Sequence, residues 1–190
     1  RVAHLANRGE DFGVKTGNDV SVDLAKVQER KNNVVNMFRG GLQKGLSKVE
    51  NLELIYGTGS FTGKNSIQVK GEDGTERHMQ AGKIFINTGT RPRVPSIEGI
   101  DEAPFFTSRN IMDVEQLPHH LIIVGGGYIG LEFGQMFRRF GSEVSVLDSN
   151  ERLLSREDED VGEEMGNIFR QDGINLCLEG RARKVETTNN

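Results

Sequence analysis

Residues 120–148, HLIIVGGGYIGLEFGQMFRRFGSEVSVLD, decide the fold of this 190-residue chain. An apolar run, LIIV, comes first, and three consecutive glycines follow it. A segment with helical periodicity comes next, and a second strand-like run, EVSVLD, ends at Asp148. Apolar runs bounded by turn residues are typical of buried parallel strands. The stretch therefore predicts a strand–helix–strand unit of an α/β fold.

The glycines in this stretch have a spacing that carries chemistry. Gly125, Gly127 and Gly130 form G-x-G-x-x-G, which is a weak pattern alone because 24 of the 190 residues are glycine. Its place between a strand and a helix is what indicates a dinucleotide-binding turn. There Gly125 permits the tight turn, Gly127 lets the backbone approach a diphosphate, and Gly130 lets the helix pack closely on the sheet. The helix N-terminus then offers free N–H groups to the phosphates.

Asp148 lies twenty-three positions after Gly125. This is where a dinucleotide-binding fold places the acid that accepts hydrogen bonds from the adenosine ribose. A carboxylate there repels a 2′-phosphate, so we expect NADH to be favoured over NADPH, although Arg152 and Arg156 could soften the preference. The alternative is that Asp148 only caps a loop or the next helix.

The rest of the chain offers weaker patterns. Residues 23–46 have helical periodicity, with fraying expected where glycines accumulate near the end. A hairpin is predicted for 66–80, after a strand-like run at 52–61. KIFINTG (83–89) predicts a short buried strand, and the proline-containing stretch 90–104 predicts a connector.

Three elements are predicted around the quoted stretch and after it. Ser108 and Pro118 bound a short helix, and a longer one is expected to end near Gly173. The run INLCLEG is a further strand, in which Cys177 is expected to be a small buried apolar residue.

Composition excludes several classes of protein. The net charge is −4, with basic residues scattered among acids, so nucleic acid is not an expected partner. No apolar run is long enough to span a bilayer, and a lone cysteine indicates a reducing, cytoplasmic setting. The four histidines have no accompanying acid or thiol cluster, so we expect surface histidines and no metal site.

Three stretches occur in an order that resembles a known family: YGTGSFTGKNSI (56–67), KIFINTGTRPRVPSIEGI (83–100) and IIVGGGYIGLEFG (122–134). They resemble the pyridine nucleotide–disulfide oxidoreductases, the class I flavoprotein reductases, from about Val22 to Asn175. The resemblance implies two doubly wound, Rossmann-like domains, both incomplete. Residues 1–107 would belong to the FAD-binding domain and residues 108–190 to the NAD(P)-binding domain.

The resemblance also implies roles for individual residues. Gly59 matches the position that meets the adenine of FAD, and Thr88 with Gly89 matches the family's A-T-G turn against FAD, where Asn87 replaces the usual alanine. Alternatively, Gly59 only serves a strand bend. The residues that match the NAD-binding set are Gly125, Gly126, Gly127, Tyr128, Ile129, Gly130, Glu132 and Asp148.

Two of these residues are candidates for a direct part in catalysis. Tyr128 matches a tyrosine that covers the flavin in some members and swings aside for the nicotinamide; the alternative is that it packs the helix start. Glu132 matches a glutamate near the nicotinamide ring; the alternative is that it only complements the helix dipole.

The implied activity is transfer of a hydride from NAD(P)H to FAD and on to a disulfide or other acceptor. The family's redox cysteine pair and dimerisation domain have no counterpart in these residues, so we expect the chain to be inactive by itself and its parent to be a homodimer. Because both sheets would be interrupted, we also expect unpaired strand edges, exposed apolar faces and poor stability. The alternative function is an NAD-binding sensor or interaction module without redox chemistry, which would need neither GTGSF nor INTG.

Overall fold

The computed structural model describes residues 1–15 and 20–187 of the chain. The chain divides into two compact units, one formed by Arg1–Glu29 with Pro92–Asn190 and the other by Arg30–Arg91. The boundary predicted at residues 107 and 108 stays a prediction. None of the helices in the described ranges is both long and apolar enough to cross a membrane.

The unit Arg30–Arg91 contains an antiparallel sheet. Helices α1 (Val2–Asn7) and α2 (Leu24–Leu46) precede the sheet along the chain. Strands β1 (Thr58–Gly63), β2 (Ser66–Lys70) and β3 (Glu76–Gln80) pair in that order, so the predicted hairpin at 66–80 is confirmed.

No residue of Arg30–Arg91 is fully buried, and every residue of this range is described. Large apolar side chains point to solvent instead: Phe38 is 70% exposed, Ile86 70% and Phe85 89%. Apolar side chains provide no hydrophobic stabilisation while they remain exposed to water. The exposed apolar faces expected from the sequence are therefore present in this unit.

The other unit contains a parallel sheet. Strands β4 (His120–Val124), β5 (Glu143–Leu147) and β6 (Asn175–Cys177) pair in that order, and β4 and β5 are joined through α3 (Tyr128–Phe140). Helix α4 (Glu159–Gln171) precedes β6. The strand–helix–strand unit predicted for 120–148 is confirmed.

One face of the parallel sheet carries the core. Because side chains alternate along a strand, Leu121, Val144 and Val146 share a face, and all three are buried in the same cluster as Phe137 of α3 and Phe169 of α4. On β4 the alternate residues Ile122 and Val124 are 58% and 51% exposed. The helices thus cover one side of the sheet.

Several local predictions are wrong. KIFINTG forms no strand, and the strand expected from residue 52 begins only at Thr58. Within 108–118 only a 3₁₀ turn, Ile111–Asp113, forms, because Asn110 Oδ1 accepts the N–H of Thr107 and holds a local turn instead. Helix α2 does not fray at its glycines but continues through Gly45 to Leu46.

The predicted end of the later helix is confirmed: Gly173 follows α4 with φ 73° and ends it.

The unequal burial of the two units predicts unequal sensitivity to truncation. Phe137 is 1% exposed, so Phe137→Ala should lower the free energy of unfolding by about 3–5 kcal/mol. The matched change Phe38→Ala, on the exposed face of α2, should alter it by no more than about 0.5 kcal/mol. Urea unfolding followed by circular dichroism measures both, and equal losses would contradict this assignment of the core.

Candidate functional site

The glycine turn lies where the sequence predicts, between the end of β4 and the start of α3. Gly125 has φ 111°, a conformation that favours glycine, and its N–H donates to the carbonyl of Leu147 at 2.8 Å. This bond attaches the turn to the carboxyl end of β5. The turn therefore lies at the edge of the sheet where α/β folds bind ligands.

Gly126 is held from both sides. Its N–H donates to Asp148 Oδ2 at 2.5 Å, and its carbonyl accepts the N–H of Leu154 at 2.9 Å. A Cβ at this position would lie 2.8 Å from Leu153 Cδ2 and 2.9 Å from Asp148 Oδ2. Only glycine fits here without displacement, and this requirement is additional to the three glycine roles derived from the spacing.

Gly127, in contrast, faces open space. A Cβ built on it meets no atom within 4 Å, and its φ of −81° is accessible to any residue. It is the N-cap of α3 and makes no side-chain capping bond. The space is free for a ligand to approach the backbone, as the sequence predicts.

Four amides at this helix start are available to a ligand. The first backbone bond of α3 runs from the N–H of Leu131 to the carbonyl of Gly127 at 3.1 Å. The N–H groups of residues 127–130 precede it, and within the described part of the chain they have no protein partner. Tyr128 and Ile129 are exposed, so these amides are not enclosed in the core. The arrangement fits the diphosphate of a dinucleotide.

Gly130 and Gly134 let α3 approach the sheet. A Cβ on Gly130 would lie 2.6 Å from the carbonyl oxygen of Gly125 and 3.0 Å from Ile123 Cγ2. A Cβ on Gly134 would lie 2.9 Å from Ile123 Cδ1. The predicted role of Gly130 in close packing is confirmed, and Gly134 extends it by one turn.

Asp148 lies directly against the glycine turn. Besides the Gly126 N–H, its carboxylate accepts the backbone N–H and the side-chain amide of Asn150, at 2.7 and 2.6 Å. Asp148 therefore also caps the loop that follows β5, which is the alternative role considered for it. Its proximity to the turn is what the dinucleotide hypothesis requires, and its bond to a ribose stays a prediction.

A cavity of about 330 Å³ opens beside Asp148, at the carboxyl ends of β4 and β5. Clefts of this size at this edge are where α/β folds take cofactors. One side of this cavity is not predicted from the sequence: Arg181, which follows β6, also contributes to its wall. The parallel order β4-β5-β6 brings the residues after β6 to this edge, and that order could not be read from the sequence. The lining residues are Pro95, Ser96, Ile97, Val124, Gly125, Leu147, Asp148, Ser149, Asn150, Gly180, Arg181 and Ala182.

Tyr128 and Glu132 both project from the first turns of α3. Both are exposed, Tyr128 by 69%, and their spacing of four residues places them on one side of the helix. The exposure of Tyr128 argues against the alternative that it packs the helix start. The roles of both residues toward nicotinamide stay predictions.

The residues matched to FAD lie in the unit Arg30–Arg91. Gly59 is an exposed position of β1 opposite Val69, and Thr88 and Gly89 are exposed in a segment without regular structure. Gly89 has φ 69°, as a turn glycine would. Their roles toward flavin stay predictions.

The remaining candidates for chemistry are dispersed. Cys177 is exposed, so its predicted burial is wrong; the short strand β6 lies at the end of the three-stranded order. His78, His119 and His120 are exposed, and His120 Nε2 lies 2.9 Å from Ser145 Oγ. Among residues 1–15 and 20–187, no group of three His, Cys, Asp or Glu side chains has metal-binding geometry.

Known proteins resemble this chain in sequence and in fold. The family model described as pyridine nucleotide-disulphide oxidoreductase matches residues 6–190. RclA of Escherichia coli K12, described as a probable pyridine nucleotide-disulfide oxidoreductase, is 36% identical over 164 residues, or 86% of this chain and 37% of RclA. Mercuric reductase of Bacillus cereus is 33% identical over 185 residues, or 97% of this chain and 28% of that enzyme.

The solved structure of E. coli RclA, described as an HOCl-induced flavoprotein disulfide reductase, matches with a TM-score of 0.82 at 33% identity, over 100% of this chain and 40% of RclA. This match confirms the predicted α/β class with incomplete, Rossmann-like cofactor-binding domains. The chain spans about a quarter to two fifths of the length of these relatives. Since the family model covers nearly all of its residues and its glycine turn has the geometry described above, the chain belongs to the pyridine nucleotide-disulfide oxidoreductase family.

Proposed function

We propose that this chain provides the dinucleotide-binding part of an FAD-dependent oxidoreductase, which passes a hydride from NAD(P)H to FAD and on to a disulfide or other acceptor. The observation that carries the proposal is the glycine turn: four amides at residues 127–130 that have no partner among the described residues and lie beside open space, held in place through Gly126 and Asp148.

The amides of residues 127–130 would hold the diphosphate. Helix α3 is 13 residues long, and its aligned peptide dipoles place a partial positive charge at this end. Each N–H that bonds a phosphate oxygen makes a charge-assisted hydrogen bond, which is stronger than a neutral one. Gly127, the N-cap residue, has no side chain that could compete for these amides.

Asp148 would receive the adenosine ribose and select NADH. One unit charge held about 4 Å from a carboxylate costs on the order of 4 kcal/mol at an effective dielectric constant of 20. The 2′-phosphate of NADPH carries more than one such charge, whereas the ribose hydroxyls of NADH can donate to the carboxylate. The half-buried position of Asp148 keeps this repulsion from being fully screened.

The other end of the dinucleotide would lie near Tyr128 and Glu132. NAD(P)H supplies the hydride when bound, and FAD accepts it. Tyr128, exposed at the start of α3, would cover the flavin and move aside for the nicotinamide, and Glu132 would orient the nicotinamide ring. Gly59, Thr88 and Gly89 would contact FAD. The family resemblance supports these five assignments, together with the exposure of every residue concerned.

Gly127→Ala separates ligand binding from folding. An added Cβ meets no protein atom, so the melting temperature should stay within about 2 °C of the unmodified chain, whereas a methyl group in the path of the diphosphate should weaken NADH binding at least about tenfold. Titration of the chain with NADH, followed by cofactor fluorescence, measures the affinity.

Two glycine controls make the Gly127 result interpretable. Gly82→Ala also adds a Cβ in open space, but in the other unit, and should change neither quantity. Gly126→Ala should lower the melting temperature, because its Cβ collides with Leu153 and Asp148. Unchanged NADH affinity in Gly127→Ala would remove the diphosphate assignment.

Asp148→Asn tests the cofactor preference. The amide oxygen of asparagine can still accept the Gly126 N–H, so the turn should persist while the repulsive charge is removed. The ratio of NADPH to NADH dissociation constants should fall by at least about tenfold. Titration of both proteins with both dinucleotides measures this ratio, and an unmodified chain that binds NADPH as tightly as NADH would refute the preference.

A further inference from the structure

We propose that Arg181 is a second specificity-determining residue, a cation that moderates the repulsion of Asp148 toward a 2′-phosphate. The inference rests on the proposed function, because it concerns the same adenosine end of the dinucleotide. Arg181 lies outside the glycine motif, and its substitution is expected to change the affinity for NADPH without changing the affinity for NADH.

The backbone places Arg181 beside Asp148. Beyond β6, the N–H of Glu179 donates to the carbonyl of Asn150 at 3.0 Å, and the N–H of Gly180 donates to the carbonyl of Asp148 at 2.9 Å. Glu179 has φ 58°, a left-handed conformation that turns the chain at this point. These contacts fix the residue immediately before Arg181 at the edge of the cavity.

The chain after Arg181 is also anchored. The N–H of Glu98 donates to the carbonyl of Arg183 at 3.1 Å, and the N–H of Val185 donates to the carbonyl of Glu98 at 2.8 Å. Gly99 permits this approach, since a Cβ there would lie against the Val185 carbonyl. Arg181 therefore projects from a short segment held at both ends, and it contributes to the wall of the same cavity as Asp148.

The two charged groups differ in their hydrogen-bond partners. The carboxylate oxygens of Asp148 already accept three N–H groups, from Gly126 and Asn150. Arg181 is exposed, and its guanidinium has no ion-pair or hydrogen-bond partner within residues 1–15 and 20–187. A free guanidinium bonds phosphate oxygens in a bidentate manner, which a ribose hydroxyl cannot match.

The test compares Arg181→Gln with the unmodified chain in titrations with NADH and with NADPH. NADPH affinity should fall about fivefold, the effect of losing one exposed charge pair, while NADH affinity should stay within about twofold. Arg181→Lys keeps the charge but loses the bidentate geometry, so its NADPH affinity should lie between those of the unmodified chain and of Arg181→Gln. Arg183→Gln removes an equal charge from the same segment but outside the cavity wall, and should change neither affinity.

The outcomes separate this inference from the function on which it rests. Equal losses of NADH and NADPH in Arg181→Gln would show that Arg181 contacts a part common to both dinucleotides, which overturns the inference. No loss in either would overturn it as well. If the unmodified chain binds neither dinucleotide, the proposed function is wrong and the inference falls with it.

Discussion

The hydrogen bond from the Gly126 N–H to Asp148 Oδ2 is the interaction on which the proposed site depends. It joins the turn after β4 to the end of β5, and it needs a glycine because a Cβ would collide with the acceptor itself. With Gly126 fixed, the next amides are left facing open space at the start of α3. A rigid turn of this kind loses little entropy when a diphosphate binds, because its backbone is already ordered.

The parallel sheet makes this arrangement possible. Parallel pairing of β4, β5 and β6 brings the three carboxyl ends to one edge, so the glycine turn, Asp148 and Arg181 meet although they are far apart in sequence. The core on one face of the sheet, around Phe137 and Phe169, holds the strands in register. The unit Arg30–Arg91 has no buried residue, so its strands lack comparable support.

Features that are encoded in consecutive residues could be predicted from the sequence, whereas features that depend on tertiary contacts could not. The strand–turn–helix–strand unit at 120–148 was predictable because its apolar periods and glycine spacing are encoded in consecutive residues. The strand expected at KIFINTG was not formed, since an apolar run becomes a strand only where a neighbouring strand completes its hydrogen bonds. Asp148 was identified through its distance from Gly125, whereas its bond to Gly126 depends on side-chain orientation. Arg181 was missed because strand order is a tertiary property.

The central claim is that the amides of residues 127–130 bind the diphosphate of NADH. Amide chemical shifts of the ¹⁵N-labelled chain, followed during titration with NADH, test it most directly. The largest changes should fall on residues 127–130, and all of them should saturate together. Saturable binding that leaves these four amides unshifted while others move would contradict it.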